Sequence, residues 1–304
     1  MATTEQVQPM THKPDKPEHH FHAEASVLSG HLRQPIKREI ETQASLLLKG
    51  DRRGGHFFQR AEHYSLEGLI SFESGYTHVS GNRSLKNHGW VTLSTSVVVG
   101  LNVLDVITAD RMVAQVSTEH PPDDPHVPHV TFLGTHFENL RVGGYPVEVQ
   151  LDLGICGQKP ADDAPYTRDS GFLKRVERQC ETISRAKELP SALQHEYAEE
   201  LKRIAEIREH CNGSGNGLQP PKLRCSLVKS ISPIPVAQVV GNVLEIPGFG
   251  NVRLAEVEIT EVPQDAGTPP GIYFELNMLK MKMGCIGDGY AAAATVAANG
   301  HHVP

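Results

Sequence analysis

Between Glu119 and Glu138 the chain sets four imidazoles and several carboxylates within twenty residues, in Glu119-His120-Pro121-Pro122-Asp123-Asp124-Pro125-His126-Val127-Pro128-His129 and then His136 and Glu138. Imidazole with carboxylate is a ligand set that suits zinc, or iron with positions left open for substrate. Such a metal activates a bound water or binds an oxygen donor. His120, His126, His129, His136 and Glu138 are therefore the candidate metal ligands. On a strand, His136 and Glu138 stand two apart and share a face. His126 and His129 sit in a proline-rich loop able to fold over that face. The spacing lacks the regularity of HExxH or HxxxE, and a proline-stiffened surface loop carries the same residues without any metal.

The other chemistry-bearing residues are sparser. His12, His19, His20, His22, His301 and His302 lie near the two ends, where solvated side chains are the expectation. Protonating all 17 histidines would carry the formal charge from −7 to +10. Since imidazole titrates near pH ~6.5, solubility or assembly is expected to change between about pH 7 and 5. No GxSxG elbow occurs, and Cys156, Cys180, Cys211, Cys225 and Cys285 form no CxxC, so neither nucleophilic catalysis nor a zinc knuckle is indicated. Asn212-Gly213-Ser214-Gly215-Asn216-Gly217 lacks the Lys-Ser or Lys-Thr of a phosphate cradle. Asp162-Asp163 has no second acid placed opposite it. Tyr76, Trp90 and Tyr145 are candidates to line a pocket, but single aromatics near turns are more often plain core or surface residues.

Composition narrows the class. Lys and Arg number 29 against 36 Asp and Glu, so the basic footprint of a nucleic-acid binder is missing. No run of 18 apolar residues and no apolar leader occur, so no membrane span and a cytoplasmic chain with reduced thiols are expected.

The elements that would position these residues read mainly as strands. Ile40, Thr42, Ala44, Leu46 and Leu48 alternate with polar neighbours, as do Tyr64, Leu66, Ile70 and Phe72. The stretch from Trp90 to Glu119 is the most β-rich, and Val103–Val116 reads as one long run. Gly143-Gly144 marks a tight hairpin turn. In the last strand Phe274, Leu276 and Met278 hold one phase, then Leu279, Met281 and Met283 the other, which is how a β-bulge reads, and how a strand buried on both faces reads too.

One segment differs. Phe172, Val176, Cys180 and Ile183, then Leu193, Tyr197, Leu201, Ile204 and Cys211, repeat at three to four residues. Two helices of roughly 20 residues, each about 30 Å long, joined around Leu189-Pro190-Ser191, predict an antiparallel hairpin. Ser191 is its candidate N-cap.

The expected architecture is a mainly β, antiparallel sandwich or barrel with an inserted antiparallel helical hairpin. Residues 1–21 form a disordered His/Pro-rich arm, 22–168 the first part of the β domain, and 169–211 the hairpin. Residues 212–223 form a flexible linker, 224–285 the second part of the β domain, and 286–304 a Gly/Ala-rich tail. Three functions fit. The first is a non-enzymatic, self-assembling β scaffold that forms a homo-oligomer. The second is a metal-dependent enzyme using zinc or iron at the residue 120–138 cluster. The third is a module that holds a small molecule, or a protein partner at the helical hairpin.

Overall fold

The computed structural model describes residues 18–34, 37–51, 54–84, 89–123, 126–161, 164–210, 222–262, 271–284 and 288–303. Seven strands come first: β1 (Glu18–Gln34), β2 (Arg38–Gln43), β3 (Leu46–Asp51), β4 (Gly55–Leu66), β5 (Ile70–Arg83), β6 (Trp90–Val103) and β7 (Ile107–His120). Five short ones follow: β8 (His129–Thr131), β9 (His136–Glu138), β10 (Arg141–Val142), β11 (Tyr145–Pro146) and β12 (Val149–Leu151). Helices α1 (Ser170–Ser184) and α2 (Ser191–His210) come next. The chain then returns to strands β13 (Lys222–Ser226), β14 (Val228–Ile231), β15 (Gln238–Val240), β16 (Val243–Ile246), β17 (Gly250–Val262), β18 (Gly271–Gly284) and β19 (Asp288–Val303).

These strands build two large antiparallel sheets. One runs β15-β16-β17-β18-β19-β1-β2, with β13 also on β17 and β3 also on β1; the other runs β11-β10-β7-β6-β5-β4, with β8 and β9 also on β7. A third, two-stranded sheet pairs β12 with β14. The large sheets pack face to face through small residues. Ser96 Oγ donates to Ser26 O at 2.7 Å and Thr77 Oγ1 to Ala44 O at 2.8 Å, while Ser94 Oγ donates to Glu24 O. At Gly75 a Cβ would come within 2.5 Å of Val27. Close approach at the centre is the physical reason for glycine, serine and alanine on these faces.

The same demand explains the chain end. Residues 286–304 were expected to form a tail, yet Asp288–Val303 is a central strand between β18 and β1. Ala291, Ala293, Ala294, Val296 and Ala298 are all buried there. Alanine is poor in β propensity but fits where two sheets meet closely. At the other end, residues 18–21 of the expected arm belong to β1, and residues 1–17 lie outside the described residues. So does most of the expected linker, of which Lys222 and Leu223 open β13. Cys211, Cys285, Asp162 and Asp163 are also outside.

Two runs that read as single strands are hairpins. Val103–Val116 turns at Leu104-Asp105, where φ is 53° and 54°. Asn102 Nδ2 donates to Asp105 Oδ1 at 2.6 Å, and Asp105 N donates to Asn102 Oδ1 at 2.9 Å. Likewise Glu67-Gly68, with φ 48° and 71°, separates β4 from β5. The expected turn at Gly143-Gly144 is present, with φ 56° and 82° between β10 and β11. The phase slip in β18 is also present, but no residue is inserted: Leu254 pairs with Leu279 and Glu256 with Asn277. Leu276 to Leu279 are buried without a break, and left-handed residues interrupt the alternation of the flanking strands in the same row, Ala255 (φ 46°) in β17 and Ala294 (φ 51°) in β19. In the opposite sheet His63 (φ 51°) and Gly100 (φ 66°) do the same for β4 and β6.

The helices form the expected hairpin, joined by residues 185–190 rather than by three residues. Asp169 caps α1 by accepting from Phe172 N at 2.5 Å. Phe172, Leu173, Val176, Cys180 and Ile183 are its buried stripe. Arg208, late in α2, forms a two-pronged ion pair with Glu177 of α1 at 2.9 and 2.8 Å, which fixes the antiparallel sense. Among the described residues, no helix is long and apolar enough to cross a membrane.

Candidate functional site

The cross-strand register places each candidate ligand. On β7, Val113 faces His136 and Arg111 faces Glu138 through β9, while Glu119 faces His129 through β8. Six residues of extended β7 therefore separate His136 from His129, about 20 Å. His120 points to the other side of β7 from Glu119. It is fully buried, with its ring centroid 4.8 Å from that of His19, which in turn stacks on Trp90 at 5.3 Å. His126 is exposed. The structure thus brings together only His136 and Glu138 of the five. Among the described residues, no three His, Cys, Asp or Glu side chains gather closely enough to hold a metal.

His136 is already engaged. Its Nε2 lies 2.9 Å from Glu138 Oε1 and its Nδ1 lies 2.7 Å from Gly134 O. Both neighbours are acceptors, so a doubly protonated ring satisfies the pair in full. Arg111 reaches the same carboxylate at 3.5 Å. All three side chains are exposed.

The Pro-rich loop has a structural tie instead. Tyr166 is completely buried; its hydroxyl donates to Pro128 O at 3.1 Å, and its ring meets Phe172 and Phe274 edge-on. Nothing in the local sequence marks Tyr166, because Pro128 and Phe274 are 38 and 108 residues away and only Phe172 is near in the chain.

Directly opposed residues on neighbouring strands share a face, so the outer surface of the β4–β7 sheet can be read as rows. One row runs Arg60, Tyr76, Val97, Val113, His136; the next runs Glu62, Ser74, Val99, Arg111, Glu138. Phe58 stacks on Tyr76 with centroids 5.8 Å apart, and His56 stacks on His78 at 6.0 Å. Burial and the neighbouring His56 lower the pKa of His78. Tyr76 is thus a surface aromatic on this face, Trp90 sits half-buried among His19 and Arg83, and Tyr145 is exposed beside the glycine turn.

The rim of this face is unusual. β4 ends its sheet, and among the described residues it pairs only with β5. Most of its residues are exposed on both faces, including Phe58 at 63% and Phe57 at 44%. A twelve-residue strand of this kind offers a row of free backbone donors and acceptors to another strand.

A second charged cluster fastens α2 to the other sheet. Glu256, 1% exposed, takes Lys280 Nζ at 2.8 Å and Arg253 at 3.5 Å, with Arg224 at 3.8 Å. Glu196 of α2 takes Arg253 at 2.6 Å and also bonds Arg224. Burial pushes the Glu196 carboxyl up, but Arg253 and Arg224 outweigh it and hold the carboxyl below its ordinary value. Burial dominates at Glu200 and raises it. Gln179 of α1 pairs with the backbone of Ser226 in both directions at 2.9 Å, as a neighbouring strand would.

The described cysteines are not poised as nucleophiles. Burial pushes the Cys156 and Cys180 thiols up to about 12 and Cys225 well above its ordinary value.

The model of one protein family, described as "Domain of unknown function (DUF8256)", matches residues 19–260. The chain belongs to this family. No curated protein and no solved structure matches it. The family match covers β1 through most of β17 and leaves out β18 and β19, the two strands that connect β17 to β1 in the sheet.

Proposed function

We propose that this DUF8256 protein is a non-enzymatic, self-associating β scaffold. The observation that supports the reading best is β4, a long edge strand exposed on both faces and carrying two exposed phenylalanines. Soluble monomers blunt such edges with charges, bulges, prolines or covering segments; β4 carries Arg60, Glu62 and the kink at His63 but still leaves both phenylalanines exposed, and an exposed apolar rim marks an interaction surface. Among the described residues, the thiols of Cys156, Cys180 and Cys225 are buried, and His136 is held by Glu138 and Gly134. Multi-angle light scattering of the full chain over a wide concentration range tests the proposal. Association into dimers or larger particles is the expected result; a strict monomer at high concentration would sink it.

A further inference from the structure

Resting on that reading, we infer that two copies join edge to edge through β4, antiparallel, about a two-fold axis through Gln59. Symmetric antiparallel pairing requires the axis to pass through one residue opposite itself, so the choices are few. An axis at Phe58 sets Arg60 against His56 of the other copy. One at Arg60 sets the two Arg60 guanidinium groups opposite each other. One at Ala61 carries the pairing through His63, where the strand is kinked at φ 51°. An axis at Gln59 avoids all three. It pairs residues 56–62, the straight part of β4 that stops just before the kink.

The side chains then complement one another. Phe58 of each copy faces Arg60 of the other, a cation–π pairing on the outer face. His56 faces Glu62, so an imidazole stands opposite a carboxylate that also pairs with Arg60 on its own strand. On the opposite face Phe57 meets Ala61, and the two Gln59 carboxamides meet on the axis. Both exposed phenylalanines are covered by this one register. The joined sheets become continuous across the dyad, and the rows of the outer face run through both copies.

Oxidative cross-linking of the full chain reads the register. Gln59→Cys places two thiols opposite each other, whereas Ala61→Cys leaves them four residues out of step, about 13 Å along the strand. Gln59→Cys is expected to form disulfide-linked dimers at least ten-fold faster than Ala61→Cys or the unmodified chain. Phe58→Glu is expected to weaken association at least ten-fold while the dilute protein still unfolds cooperatively, with a melting temperature lowered only by the lost stack on Tyr76. Equal cross-linking of the two cysteine variants, in a chain that light scattering shows to associate, overturns this interface but not the scaffold reading. A wild-type chain that stays monomeric overturns both.

Discussion

At the scale of single residues, burial decides which groups are unusual, and Glu261 is the clearest case. Burial pushes its carboxyl up to about 7, with Arg168 only partly opposing, and among the described residues Oε1 is buried with no hydrogen-bond partner. A carboxyl whose folded pKa is raised contributes stability below its unfolded value of 4.5 and loses it as pH rises toward 7. Glu261→Gln should therefore raise Tm by several degrees at pH 8, with the gain vanishing near pH 4.5 in a pair of thermal melts. An unchanged difference across that range would mean the group is solvated. The sequence made the His120–Glu138 cluster conspicuous, since imidazoles and prolines are visible in a string of letters. It kept silent on Tyr166, Glu256 and Glu261, whose surroundings are set largely by residues distant in the chain.

Elements were legible where their period was uninterrupted. Both helices follow their three-to-four spacing closely, and Cys180 falls on the buried stripe as that spacing requires. Hairpins were legible at Gly143-Gly144 but not at Leu104-Asp105, because a turn held by an Asn102–Asp105 bond carries no glycine. The flip at Met278 was visible, while the left-handed Ala255 and Ala294 beside it on the neighbouring strands were not. What fastens the hairpin to the sheet was also hidden. Glu256→Gln would leave Lys280 and Arg253 facing a neutral amide, and removing one partner of a buried ion pair costs about 3–5 kcal/mol. Urea denaturation should show a loss of that size; a change under about 1 kcal/mol would mean that Glu196 alone holds the cluster. Because Glu196 is held below its ordinary value, its contribution is present above about pH 4.5 and disappears as pH falls further.

For the whole molecule, the closing strands decide whether the sheet exists. β19 lies between β18 and β1, and Ala291, Ala293, Val296 and Ala298 fill the narrow space between sheets. A chain ending at Val262, close to the limit of the family match, would leave β1 and β17 without the strands that join them. Such a truncation should lose cooperative thermal unfolding by circular dichroism; a sharp transition near that of the full chain would show that the two strands are dispensable. An alanine-rich end reads as a tail in sequence because alanine is a weak strand former, and only the closeness of the sheets makes it the right residue. The mainly β class was readable from alternation, yet the exposure of β4 was not. Its letters, His56 to Leu66, look like any half-buried strand until the fold leaves it at an edge.

That edge is where the account is most open to refutation. Amide hydrogen exchange on the full chain at dilute and concentrated conditions measures it directly. The account predicts that peptides covering residues 55–62 gain protection as concentration rises, while those from β7 stay the same. Exchange in β4 that ignores concentration, in a protein remaining monomeric throughout, would contradict it.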